Sequence, residues 1–292
     1  MASIEGKTIG FVGLGLMGKP MALNLHKAGA RLIINNRSQD VVRDLAVLGM
    51  TPAPTPAAAC EGAEAVIVML PDTPAVETGL LGDDGVVSGL GAGLLVIDMG
   101  TTKVTSTRRF AKAVTEAGGD YIDAPVSGGT IGAESGELTI MAGGSEAAMA
   151  RAMPIFEVLG KQTTHVGGIG AGQVAKAANQ VIVGLNIGAV AEALTLARNA
   201  GVDPGKVREA LRGGFADSRI LEVHGKRMVD GDFRPGGKCV TQRKDLFQAL
   251  ELAGELGFEL PATRLCMKLY DKLIAEGHGD LDHSALIKVL EK

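Results

Sequence analysis

Short apolar runs alternate with longer stretches of helical period through the first half of the chain. The runs fall at Thr8–Val12, Arg31–Asn35, Ala65–Leu70, Leu94–Asp98, Tyr121–Ala124 and Leu138–Ala142, with a weaker one at Thr163–Val166. Between them, stretches such as Val104–Ala117 and Glu146–Leu159 repeat apolar residues at i, i+3 and i+4. This alternation predicts a mostly parallel sheet covered by helices on both faces. After about Gly170 the strand signals stop. Gly172–Ala200 is a near-continuous run rich in Ala, Val and Leu with few charges. Apolar around its circumference, it predicts a buried helix long enough to connect two domains. Asp203-Pro204 supplies a cap and a first-turn proline for the next helix. Further helices are predicted over Asp217–Val229, Val240–Leu256, Pro261–Glu276 and His283–Leu290. The pattern places an α/β domain over residues 1–168 and an all-α domain over 169–292 that begins with the long interdomain helix.

Composition narrows the picture. The 292 residues suffice for two domains with cores of their own. Aromatics are 3% and Trp is absent, so those cores are built from Ala, Val, Leu, Ile and Met. A net charge of −4, with no basic stripe and few stacking rings, argues against a nucleic-acid partner. The start, Met1 to Lys7, lacks the pattern of a signal peptide, and no apolar stretch is read as long enough for a membrane span. No membrane partner and a cytoplasmic location are expected. Cys60, Cys239 and Cys266 are far apart and form neither a C-x-x-C pair nor a metal spacing, which suits a reducing compartment. His224 and His283 stand isolated, Asp282-His283 reads as the cap of the last helix, and no metal is expected.

The chemistry begins at Gly13-Leu14-Gly15-Leu16-Met17-Gly18. An apolar strand precedes this G-x-G-x-x-G and a helical pattern follows it, the context of a Rossmann-type dinucleotide turn. The first glycine permits the tight turn, the second lets backbone approach a pyrophosphate, and the third lets the helix sit close to the strand. The helix N-terminus offers unpaired N–H groups to phosphate. The second strand ends in Asn35-Asn36-Arg37-Ser38 rather than in the acid that would accept from a ribose hydroxyl. Arg37, with Asn36 and Ser38 as donors, suits a 2′-phosphate, so NADP(H) is favoured over NAD(H). An ordinary surface arginine stacking on adenine is the blander alternative.

Two later segments offer groups for hydride-transfer chemistry. In Asp123-Ala124-Pro125-Val126-Ser127-Gly128-Gly129, a hydroxyl and a run of small residues suit a carboxylate. Lys176 and Asn179 share one face of the long apolar helix. A lysine there is either snorkelling to solvent or held in a site, where desolvation favours proton transfer. Lys238, Arg243 and Lys244 form a basic cluster, either surface charge or a hand on the cofactor.

With these residues the chain resembles the β-hydroxyacid dehydrogenases, the family of 3-hydroxyisobutyrate dehydrogenase. The resemblance covers essentially its whole length through four ordered motifs: Gly13–Met21, Asp123–Gly129, Gly170–Asn179 and Lys244-Asp245-Leu246. Three further stretches, Leu70–Pro74, Gly213–Gly225 and Leu281–Ala285, are closer still to its tartronate semialdehyde reductase branch. The resemblance implies a small 2-hydroxy-3-oxo acid as substrate, reduced to glycerate, and a homodimer or homotetramer. Lys176 would be the proton donor and Asn179 would orient the substrate. Ser127, Gly128 and Gly129 would bind its carboxylate. Leu70, Pro71 and Thr101 would line the cofactor, and Lys244 would close over it. Some relatives carry a second Asn where this chain has Gln180, which fits the branch rather than the family at large. Sister enzymes acting on 3-hydroxyisobutyrate, succinic semialdehyde, glyoxylate or serine remain alternatives, as does a non-catalytic dinucleotide-binding module. The 6-phosphogluconate dehydrogenases share the N-terminal organisation but have a much longer helical domain.

Overall fold

Every residue of Ala65–Val68 and of Leu95–Asp98 is buried, because both strands lie inside a sheet covered on its two faces. The computed structural model describes residues 3–291, so Met1 and Ala2 of the start read above, and Lys292, lie outside the described residues. The chain divides into two compact units, Met1–Lys176 and Ala177–Lys292.

The first unit carries a nine-stranded sheet: β1 (Thr8–Val12), β2 (Arg31–Asn35), β3 (Thr51–Pro52), β4 (Ala65–Val68), β5 (Leu95–Asp98), β6 (Asp120–Asp123), β7 (Val126–Ser127), β8 (Leu138–Gly143) and β9 (Gly160–Gly167). The order is β3-β2-β1-β4-β5-β6-β8-β7, with β9 on β8. Strands β1 to β6 run parallel, β8 is antiparallel to β6 and β7, and β9 is parallel to β8. Helices α1 (Gly18–Lys27), α2 (Gln39–Ala46), α3 (Thr73–Leu81), α4 (Val104–Glu116), α5 (Gly129–Ser135) and α6 (Glu146–Leu159) intervene. Alternate strand residues feed two cores. Phe11, Ile67 and Ile97 meet Met21, Leu25 and Phe156 in one. Val66, Val68 and Val96 meet Val76, Leu80 and Phe110 in the other. The order reverses between β1 and β4, and the crevice outside the strand carboxyl ends at such a point is where open α/β sheets hold ligands.

Helix α7 (Ala171–Asn199) begins in the first unit and runs into the second. Its buried positions include Gln173, Lys176, Gln180, Gly184, Ile187, Ala191 and Leu194, one stripe at spacings of three and four. The expectation of burial all round is thereby corrected: Ile182 is 62% and Leu196 72% exposed. A second correction concerns length. With a mean hydropathy of 1.6 in its best window, α7 is long and apolar enough to cross a membrane by those measures. The small and amide residues scattered along it disguised the run, and its stripe packs as a core helix does.

In the second unit, α8 (Pro204–Leu211), α9 (Arg219–Asp230), α10 (Cys239–Glu255) and α11 (Pro261–Ala275) follow. Ile187, Leu194, Met228, Leu246, Tyr270 and Leu286 centre its core. The last predicted helix is a 3-10 helix, His283–Val289. Asp282 starts it as expected of a cap, accepting from Ser284 N–H at 3.1 Å. Asp282 is also held in an antiparallel bridge to Lys238, and the turn closes tightly, with Ala285 N–H donating to the Asp282 carbonyl at 2.8 Å.

Candidate functional site

The glycine-rich turn leaves β1 at Gly13, whose φ of +101° lies in the region that favours glycine. A Cβ on Gly13 would strike the Met69 carbonyl, and one on Gly18 the Gly13 carbonyl. At Gly15 a Cβ would meet nothing within 4 Å. Two of the glycines are thus required by the fold, and the third guards open space beside bare backbone. Met17 caps α1 without a side-chain hydrogen bond; Lys19 N–H donates to the Gly15 carbonyl at 3.1 Å and Pro20 has no N–H, so the N–H groups offered to an external acceptor are those of the turn itself, Gly15 to Gly18. Leu16 is exposed beside them. These features fit a dinucleotide pyrophosphate.

The Asn36 amide braces this turn. Its Oδ1 accepts from Leu14 N–H at 2.9 Å and its Nδ2 donates to the Ser38 carbonyl at 3.0 Å. Arg37 and Ser38 are exposed, and Arg37 has no ion-pair partner among the described residues.

Leu70 and Pro71 follow β4, and Thr101 follows β5, so both loops open at the same strand ends as the glycine turn. The β5 loop is fixed from two sides. Buried Asp98 accepts from Gly100 N–H at 3.0 Å and from the Tyr121 hydroxyl at 2.9 Å. Burial and the Asp98 charge push the Tyr121 pKa far up, so the phenol remains a donor. From α7, the Gln173 side chain accepts from Thr102 N–H at 3.1 Å and donates to the Gly100 carbonyl at 2.9 Å. Thr101 lies between these two anchors.

Asp123, at the end of β6, holds the start of α7. Its carboxylate accepts from Gly170 N–H at 2.7 Å and from Gln173 N–H at 2.9 Å. Burial raises its pKa to about 6, against these backbone donors, which pull it down. A Cβ on Gly172 would collide with the carbonyls of Met141 and Asp123, so glycine is what lets the helix start this close to the sheet. One turn on, Lys176 is buried and its Nζ donates to the Val126 carbonyl at 2.7 Å. Ser127 follows directly, then Gly128 and Gly129 at φ of +134° and +60°, a turn that side chains disfavour.

The first unit therefore gathers the glycine turn, Leu70, Pro71, Thr101, Ser127 to Gly129 and Lys176 around the carboxyl ends of its strands. Asn179 and Lys244 belong to the second unit. There the Asn179 amide donates to Gln180 Oε1 at 2.7 Å. Gln180 Nε2 donates to Asp245 Oδ2 at 2.5 Å and to Gln242 Oε1 at 3.2 Å. Lys244 Nζ lies 3.1 Å from Asp245 Oδ1.

Sequence reasoning passed over Asp123 and Gln173 as anchors, and over Gln242 and Asp245 as partners of Gln180. Their contacts span separations that carry no local period. It also left His224 and His283 apart, whereas the fold stacks their rings edge to face with centroids 4.5 Å apart.

Residues 8–167 match the family model for the NAD binding domain of 6-phosphogluconate dehydrogenase, and residues 170–290 that for the NAD-binding domain of NADP-dependent 3-hydroxyisobutyrate dehydrogenase. The chain is 49% identical over 283 residues to 2-hydroxy-3-oxopropionate reductase of Escherichia coli (strain K12), covering 97% of both sequences. It superposes on 3-hydroxyisobutyrate dehydrogenase from Salmonella typhimurium with a TM-score of 0.88 at 29% identity, covering 97% of this chain and 99% of that one. The same TM-score, at 26% identity and 97% and 99% coverage, relates it to Psf3 in complex with NADP+ and 2-OPP.

Proposed function

Because the chain belongs to the 3-hydroxyisobutyrate dehydrogenase family of NAD(P)-dependent β-hydroxyacid dehydrogenases, we propose that it reduces 2-hydroxy-3-oxopropanoate, tartronate semialdehyde, to glycerate with Lys176 as proton donor. It is an oxidoreductase of CH–OH groups, as its relatives are. The identity of 49% across 97% of a reductase of that acid supports the substrate. Buried Lys176, aimed by the Val126 carbonyl, supports the donor.

A nicotinamide dinucleotide, when bound, would supply the hydride. Gly15, Leu16, Met17 and Gly18 would receive its pyrophosphate on backbone N–H groups, while Gly13, whose own N–H donates to the Asn35 carbonyl at 2.9 Å, would shape the turn that holds it. Arg37 and Ser38 are exposed and would take a ribose 2′-phosphate, which favours the 2′-phosphorylated cofactor. Leu70, Pro71 and the braced Thr101 would line the cofactor, and the family resemblance assigns Lys244 to it as well. The Ser127 hydroxyl and the N–H groups of Gly128 and Gly129 take the substrate carboxylate. The Lys176 ammonium is aimed by its hydrogen bond to the Val126 carbonyl. The ammonium so aimed gives a proton to the aldehyde oxygen as charge develops there, and recovers it from solvent. Asn179, on the same helix face, orients the substrate.

A cytoplasmic location and a homodimer or homotetramer complete the proposal, and the exposed Val174, Ile182 and Leu196 of α7 support the assembly. Light scattering tests the assembly. Initial rates with tartronate semialdehyde, 3-hydroxyisobutyrate, succinic semialdehyde, glyoxylate and L-serine, each with both cofactors in the appropriate redox state, test the reaction. The highest kcat/KM on tartronate semialdehyde supports the proposal, and a higher value on any of the others replaces that substrate.

A further inference from the structure

The turn Ser127–Gly129 stands between two short elements. Before it, β7 has two residues, held by the pairing of Val126 with Ile140 and of Ser127 with Thr139. After it, α5 has seven residues and buries only Gly132 and Ala133, while Ile131 is 54% exposed. A helix this short does not persist on its own propensity, so its place depends on what ties it down.

The tie is Asn24. Its Nδ2 donates to the Ala133 carbonyl at 2.8 Å and, at a longer 3.4 Å, to the Glu134 carbonyl. Both partners can only accept, which fixes the amide with its nitrogen toward α5. These carbonyls lie in the last turn, where a helix runs out of donors of its own. Gly136, at φ of +69°, ends α5, and its N–H turns back to the Gly132 carbonyl. Glu137 N–H, which a continuing helix would give to Ala133, goes to Gly132 as well, at 2.9 Å. Asn24 therefore caps α5 from outside. The crossing is close: a Cβ on Gly136 would stand 2.9 Å from the Val158 carbonyl and 3.7 Å from Asn24 Nδ2. Asn24 belongs to α1, which opens at Gly18 of the glycine turn. One amide thus joins the helix that leaves the glycine turn to the helix that leaves Gly128.

We propose that Asn24 is a positioning residue for the acid substrate: by capping α5 it holds Ser127, Gly128 and Gly129 in place to take the carboxylate, at a set distance from the glycine turn. The inference rests on the proposed reading of that turn. Asn24 acts through α5 and not on a ligand. Lys176 is held separately, by the Val126 carbonyl and by the Asp123 carboxylate at the start of α7. Loss of the Asn24 bond therefore bears on binding of the acid and much less on proton transfer.

The test compares two variants of the full chain. Asn24→Leu keeps the size of the side chain and removes the donor, and Asn24→Asp sets a carboxylate against two carbonyls. The acid assayed is whichever one the wild-type chain turns over best. Asn24→Leu should raise its KM about three- to tenfold, the scale of one neutral hydrogen bond, with kcat within about twofold and the Kd of NADPH unchanged. Asn24→Asp should raise KM further. Hydrogen exchange followed by mass spectrometry needs no turnover; it should quicken in residues 128–137 and stay as in wild type in α1. Ser127→Ala tells two failures apart. A KM raised in Ser127→Ala but unmoved in both Asn24 variants overturns the role of Asn24 and leaves that of the turn. A KM unmoved in all three strikes the carboxylate reading itself, and this inference with it. A lowered melting temperature without the shift in KM, or failure of both Asn24 variants to fold, makes the bond a folding contact and equally overturns the proposal.

Discussion

The ammonium of Lys176 donates to the carbonyl of Val126 at 2.7 Å, tying a buried charge on α7 to the residue that precedes Ser127. In the proposed reaction this contact would set where the proton leaves from. Lys176→Ala is expected to lower kcat by about 10²- to 10⁴-fold while cofactor affinity and the melting temperature hold near wild type. Lys176→Met, which removes the charge and keeps the packing, should melt no lower than wild type. Stopped-flow turnover and fluorescence titration of the reduced cofactor check this, and a Lys176→Ala variant that turns over normally would remove the residue from the mechanism.

Asp123 makes two opposite pH predictions. Its pKa of about 6, raised chiefly by burial, means that the folded chain holds this proton more tightly than the unfolded chain. Its contribution to stability is therefore full below the ordinary aspartate range and is lost as pH rises through about 6. Activity runs the other way, because protonation removes an acceptor from the start of α7. We expect kcat to fall below about pH 6 with no matching loss of thermal stability from this group. Asp123→Asn should flatten that limb and lower kcat at pH 8 by about ten- to a hundredfold through misplacement of Lys176. An unchanged profile in the asparagine variant would sink the idea.

The glycines of the first turn separate folding from binding. Gly18→Ala puts a methyl against the Gly13 carbonyl and should cost about 1–3 kcal/mol of stability, read by denaturant titration. Gly15→Ala meets no protein atom. It should melt as wild type does yet raise the cofactor Kd at least about tenfold, since the methyl fills the pyrophosphate's space.

Arg37→Ala should raise the Kd of NADPH by about ten- to a hundredfold, the scale of a charge-assisted hydrogen bond, and leave that of NADH nearly unchanged. Equal losses for both cofactors would mean that the arginine stacks on adenine instead of reading the phosphate.

The amides of Asn179 and Gln180 point one way because Asp245 can only accept. Asp245→Asn lets that order reverse. Its expected signature is a KM for the acid substrate raised several-fold with kcat changed less, and a Gln180→Asn variant, too short to span the same distance, should behave similarly. A normal KM in both would leave the chain of amides a packing feature.

Strands β1 and β2 were legible to the residue, because each is an apolar run bounded by polar or glycine residues. Strands β3 and β7 have two residues each, too few for a period, and exist through pairing such as Val126 with Ile140. The reversed direction of β8 was equally hidden, since apolar alternation reads the same both ways. The glycine turn was legible because its backbone demands glycine in fixed order. The Asp123 anchor was not: its partner Gly170 lies 47 positions away. His224 and His283, 59 positions apart, were hidden for the same reason.

The paired hydrogen bonds of Gln173 to Gly100 and Thr102, together with the Asp123 cap, carry a consequence for timing. The loop bearing Thr101 and the turn of helix leading to Lys176 share one rigid frame, assembled from buried contacts when the first unit folds. Catalytic dipoles fixed in advance need no reorientation as charge develops. Ligand arrival then has no cost of ordering to meet at these residues, so their share of the barrier should be nearly independent of how well a given acid fits. Poor substrates would accordingly be expected to lose more in KM than in kcat.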